Sequence, residues 1–259
     1  MIEALFQRRP VIAETAQIAE AQPLSEVARV VDAFVAPSKT FADLPRSASW
    51  WLPCVIVLLC FSLSSWMALR KVGIERISEN VLATMPRMQD LISNAKPEDA
   101  ALIRAKFDKN MKNQFYTAPA ITLVSGFAVA GLFLLSANFI FGGRATYKSL
   151  LAVHWYALLP LALLSILVAT LLALGINLET FRITNPAGTN PGYYMPEGTS
   201  PVLVAVLSFF DIFSIWVFCL QALGTAIVAR LTLGKAFAAV GIWWLLYLIL
   251  KVVPTLLFS

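Results

Sequence analysis

One histidine, His154, stands alone in a sequence of 259 residues. A single imidazole rules out an HExxH zinc site and any multi-histidine metal cluster. No GxSxG elbow occurs, and a lone histidine in an apolar segment gives no ground for a Ser/His/Asp set. The stretch GTAIVARLTLGKA contains a Gly-Lys pair, but Ala229 stands where a phosphate loop places its first glycine, and Ala236 replaces its Ser or Thr. Cys54, Cys60 and Cys219 lie in apolar surroundings without CxxC spacing, which reads as small buried hydrophobes rather than redox or zinc ligands. No catalytic set, no metal site and no cofactor are expected. The chemistry left is that of polar groups held in an apolar setting: Asn138, His154, Asp211, Gln221 and Lys251.

That setting follows from where the charges are. The chain is 59% hydrophobic and 14% charged, with a mean hydropathy of +0.74; a soluble domain carries about 25% charge. Five apolar segments stand out: Trp50–Leu69, Thr117–Phe141, Ser149–Gly175, Pro201–Ala229 and Ala236–Ser259. Of the 20 basic and 15 acidic residues, only Asp211 and Lys251 fall inside them. Each segment reaches the roughly 20 residues needed to cross about 30 Å of hydrocarbon. The expected fold is all-α: a polytopic bundle of five transmembrane helices with amphipathic interfacial helices, its first partner the lipid bilayer. The net charge of +5 is accounted for by basic residues flanking spans. A nucleic-acid partner would want a clustered basic face with aromatics for stacking, and none is visible.

Unpaired polar groups in hydrocarbon cost several kcal/mol, so the few present are the candidate site residues. At about 1.5 Å of rise per residue, Asp211 and Lys251 come out roughly 5–6 Å to one side of the midplane, and Asn138 and His154 roughly 12–14 Å to the other. Read as one continuous helix, the fourth segment puts Asp211, Ser214, Phe218, Gln221 and Thr225 on one face. The aspartate is then expected to point into the bundle. Opposite charges at one depth are expected to pair or to share a wet cavity, either fixing helix packing or contacting a partner or solute.

The segments between the spans are polar. Residues 1–49 form an N-terminal segment with a flexible lead-in over 10–24. Within it Val27, Val30, Val31, Phe34 and Val35 recur at helical spacing, with Ser25 as N-cap and Pro37 as stop. Arg29 and Asp32 occupy the opposite face, so this helix is expected in the headgroup layer or packed on the membrane domain. The insertion 70–116 reads as two amphipathic helices joined around Lys96–Pro97, resting on the membrane or the bundle. MIEALFQRRP offers no signal-peptide core, so the first span is expected to direct its own insertion. The short second and fourth loops carry Arg144, Lys148, Arg230 and Lys235, while the long third loop has only Arg182. By the positive-inside rule the N-terminus is expected in the cytoplasm and the C-terminus outside.

A resemblance adds to this. DIFSIWVFCLQALGTAIVARLTLGKA, at Asp211–Ala236, is similar to the Asp-x-Phe-Ser-x-Trp segment of the bacterial branch of the YIP-domain (Ypt/Rab-interacting protein) family, which brings Trp216 into the candidate set. APSKTFADLP at Ala36–Pro45 resembles the family's Pro-Ser-x-Thr-Phe stretch, and GGRATYKSLLAVHWYALLP at Gly142–Pro160 agrees. The similarity covers about residues 30–258; the long N-terminal lead and the insertion after the first span are departures. The resemblance implies a non-enzymatic inner-membrane protein. Eukaryotic relatives bind small Rab-type GTPases and one another. For this chain it implies a scaffold or an accessory subunit of a membrane transport complex, with an ATP-driven exporter among the possible partners, or self-association. The alternative is a small channel or secondary transporter using Asp211/Lys251 and Asn138/His154.

Overall fold

A computed structural model describes residues 23–258, apart from Asn177, Thr184 and Glu197; most of the lead-in lies outside the described residues. The described elements are helical, with one isolated bridge between Arg182 and Asn185. Five helical stretches are long and apolar enough to cross a membrane. The first, α3 (Trp51–Lys71), carries Pro53 in its first turn, where a missing N–H leaves no bond unmade. Arg70 and Lys71 close its last turn, where cations complement the helix dipole.

The insertion departs from the two-helix expectation. Helices α4 (Ile74–Leu82) and α5 (Pro86–Ser93) precede α6 (Pro97–Leu134), which starts on a proline with Glu98 and Asp99 in its first turn. Nothing interrupts α6 before it enters the apolar stretch, because Lys112–Tyr116 are good or tolerable helix formers, and the helix continues through Pro119. It therefore forms one rod with the second span, about 57 Å long at 1.5 Å per residue, and its charged half stands beyond the membrane-spanning part. Ile77 and Met111 pack there with Ala68, Val72, Val168, Leu172 and Phe181. Asn80 donates to the Phe181 carbonyl (2.8 Å), so the insertion and the third loop share one end of the bundle.

A π-helical turn, Leu135–Ile140, ends the second span. Helix α7 (Tyr147–Ala157) then opens on a capping box between Thr146 and Ser149, and all nine residues from Ser149 to Ala157 are buried. The third span breaks at Leu158, because Pro160 has no N–H for the Tyr156 carbonyl, and resumes as α8 (Leu159–Ala173). The fourth segment is also two helices, α9 (Pro201–Phe209) and α10 (Ile212–Ala229), rather than the single one expected. The last span is α11 (Leu233–Phe258). Small residues let the centre close: a Cβ on Gly224 would stand 2.6 Å from Val153 and 3.0 Å from Phe41, and one on Gly126 would stand 2.6 Å from the Trp155 ring.

At the N-terminal side Ser25 accepts from the Ala28 N–H and starts α1 (Glu26–Val35). Pro37 ends it and begins α2 (Pro37–Asp43), which folds back on α1 and packs against α10. The orientation of α1 departs from the expectation in part: Val30 and Phe34 pack on the core as expected, but Arg29 turns inward with them. Arg29 is 2% exposed, whereas Val27, Val31 and Val35 are 67%, 53% and 74% exposed. The reason is electrostatic: the cation finds its partners inside the fold, and the outward face is left to aliphatic side chains.

Candidate functional site

Three polar groups lie within the helical bundle. The first is built by α1, α2 and α7. Arg29 donates through Nε to Asp43 Oδ2 (2.8 Å), and its Nη2 reaches the same oxygen at 2.8 Å. Nη1 donates to Glu26 (3.2 Å) and to the Ser47 carbonyl (3.0 Å). Glu26 in turn accepts from the Tyr156 hydroxyl (3.2 Å), and Thr40 donates to the Arg29 carbonyl (2.9 Å). A buried guanidinium is tolerable only when its donors are met this fully. Thr40, Phe41 and Asp43 all come from APSKTFADLP, so this short stretch is the socket for Arg29. Sequence reasoning missed it by assigning Arg29 to an outer face. The available signal was the single basic residue of a largely apolar helix, fourteen positions before an aspartate, with a proline turn between them.

The second group is neutral. Trp244 of α11 donates its indole N–H to Gln221 Oε1 (2.8 Å) and sits between the rings of Phe209 and Phe218. Because indole only donates, Gln221 must present its oxygen there, which turns its NH₂ toward His154 Nδ1 (3.3 Å). That nitrogen is then an acceptor, and His154 is a neutral imidazole protonated at Nε2. Beside it, Trp243 donates to Ser136 Oγ (3.1 Å). Asn138, assigned by depth to the same layer as His154, is occupied elsewhere. Its NH₂ donates to the Ala145 carbonyl (2.8 Å), and its oxygen accepts from the Ala145 N–H (3.0 Å). The structure thus joins His154 to Gln221 and Trp244, not to Asn138.

The third group contains Asp211. Since the fourth segment is broken, Asp211 is not mid-helix on the face of Ser214 and Gln221; it is the N-cap of α10. Its Oδ1 accepts from the N–H groups of Phe213 (2.9 Å) and Ser214 (3.3 Å). Its Oδ2 accepts from the Thr189 hydroxyl, while the Ile212 N–H donates to the Thr189 carbonyl (3.1 Å). Lys251 is near enough for the Asp211 charge to act on it. Among the described residues, though, Arg29 makes direct ion pairs, whereas Asp211 and Lys251 make none with each other. Trp216 stands edge-on to Phe34, at 5.9 Å between ring centres, and so joins α10 to α1.

At the opposite end from the third loop, the second and fourth loops are tied together. The Gly143 N–H donates to the Ala137 carbonyl (2.8 Å) and the Arg144 N–H to the Ala229 carbonyl (3.0 Å). A Cβ on Gly143 would stand 2.8 Å from that Ala137 oxygen, so only glycine fits the junction.

The regions gathered here, Ala36–Pro45, Gly142–Pro160 and Asp211–Ala236, are those of the resemblance. A family model described as the Yip1 domain matches residues 31–253. The chain belongs to the Yip1 domain family. The matched stretch takes in the five spans as far as Val253 and the Ala36–Pro45 socket, while Glu26 and Arg29 lie just before it. No curated protein and no solved structure matches the chain at a significant level. This Yip1-family chain is a multi-pass membrane protein.

Proposed function

We propose that this protein acts without catalysis, as a membrane scaffold or accessory subunit of a membrane transport complex. The observation that carries the reading is the contrast between inside and outside. Asn138, His154, Gln221 and Asp211 are each bonded within the chain, whereas the last span turns most of its apolar side chains outward, Ile242, Leu245, Leu246, Ile249 and Leu250 among them. A transporter working alone would be expected to keep polar groups free along a path near the midplane. A protein that works by contact keeps them closed and offers surfaces to lipid and to other membrane proteins, with an ATP-driven exporter or a second copy as candidate partners. Purification in mild detergent should then bring down a stoichiometric membrane partner. Solute movement by the purified protein alone in liposomes would overturn the proposal.

The same reading places the protein in a bacterial inner membrane with its N-terminus cytoplasmic and its C-terminus external. It is supported by the junction of the two short basic loops, Arg144–Lys148 and Arg230–Lys235, at one end of the bundle. In a cysteine-free background, a thiol at Gly198 should label from outside intact cells and one at Lys148 should not; the reverse pattern inverts the orientation.

A further inference from the structure

Where α3 leaves its apolar stretch and α6 enters one, the two helices part to form an open groove of ≈ 630 Å³. Its floor is apolar, made by Leu69, Ile74, Phe115 and Pro119. Its rim carries two cations on opposite walls, Arg70 of α3 and Lys112 of α6, and no acidic side chain lines it. Both cations are exposed, and among the described residues neither makes an ion pair. Arg70 is held in place by stacking over the Trp66 ring, 5.5 Å from its centre. Ser65 and Tyr116 add hydroxyls to the rim. Pro119, which has no N–H, leaves the Phe115 carbonyl without its helical donor beside them.

We propose that this groove is a binding site for an anionic phospholipid, its phosphate between Arg70 and Lys112 and an acyl chain along the floor. The position supports a lipid: the charged half of α6 ends at Tyr116 and the uncharged stretch begins at Thr117, so the rim stands at headgroup height and the floor opens toward hydrocarbon. The charge supports an anionic one, since two cations without carboxylate partners gain most from a phosphate that no headgroup ammonium neutralises. A soluble anion would leave the floor in water, and a zwitterionic lipid would bring an ammonium against Arg70.

The test is native mass spectrometry of the full-length protein, released from detergent with equal amounts of phosphatidylglycerol and phosphatidylcholine. The wild type should retain the phosphatidylglycerol adduct at least about five-fold over the other. Arg70→Gln and Lys112→Gln should each cut that preference to about half, and the double variant should abolish it; both side chains are exposed, so the fold is kept. Arg104→Ala/Lys106→Ala, which removes two exposed cations of the same insertion outside the groove, should leave the preference intact. Equal retention of the two lipids by the wild type, a preference that survives in the double variant, or an equal loss in the Arg104/Lys106 control would each overturn the site.

Discussion

Two places in the bundle set a basic side chain near a carboxylate, and they are built in opposite ways. At Arg29 the guanidinium meets Asp43 directly, adds Glu26 and a carbonyl, and is sealed from the surroundings. At Lys251 the neighbouring carboxylate is already taken: Asp211 uses one oxygen on the first turn of α10 and the other on Thr189. In a low-dielectric setting a carboxylate satisfies the nearest backbone donors first, because their positions are fixed by the helix and need no side-chain ordering. A long lysine reaching across from another span competes poorly. Proximity of opposite charges in depth is therefore not pairing; what decides is whether the acid has a helix start to cap.

The sharpest way to break this comparison is to remove Arg29. Arg29→Met leaves Asp43 buried without its cation and should destabilise the protein by about 3–5 kcal/mol, read as a lowered unfolding midpoint in mixed micelles. Adding Asp43→Leu should restore most of that loss. If the double variant is as unstable as the single one, the socket is held by something other than charge. Next in size is the neutral network. Gln221→Leu strands the Trp244 donor and should cost about 1–3 kcal/mol in the same assay, while shifting the tryptophan emission. Asp211→Ala should follow at about 1–2 kcal/mol through the lost cap, with faster hydrogen exchange at Phe213 and Ser214. Smallest is the coupling between Asp211 and Lys251. A double-mutant cycle with Asp211→Ala and Lys251→Met should give under about 1 kcal/mol, well below the coupling of Arg29 with Asp43. A coupling as large as that of the Arg29 pair would erase the distinction.

The five spans were legible because hydrocarbon thickness and charge exclusion act on composition alone, and α3 begins and ends within a few residues of where composition puts it. Breaks inside apolar stretches were less so. Hydropathy is blind to the non-helical turn at Phe210–Asp211, although Asp211 followed by Ser214 is a helix-start pattern that could have been read. Pro160 could likewise have marked the division of the third span. For α1 the helix and its cap follow from the spacing of the valines and Ser25, but its orientation does not. Periodicity separates two faces without saying which one meets protein. In water the apolar face turns inward; here Val27, Val31 and Val35 turn outward while Val30, Phe34 and the arginine turn inward, because Asp43 supplies what water would otherwise provide. The pairing of His154 with Gln221 needed the crossing of α7 and α10, which no spacing along the chain encodes.

The fit of Phe41 beneath Gly224 also sets a timetable. The aromatic ring of α2 rests against Val153 and against the one position of α10 that lacks a side chain, so the seat for the N-terminal helices does not exist until the fourth span has been made. At about 5–20 residues per second, the roughly 180 residues between them take the ribosome on the order of 10–40 s. Throughout that interval α1 and α2 must wait outside the unfinished bundle, where Arg29 can already meet Asp43, Glu26 and the Ser47 carbonyl of its own segment. Their docking is thus among the last events of assembly, and it closes only over a chain whose central spans are already in place.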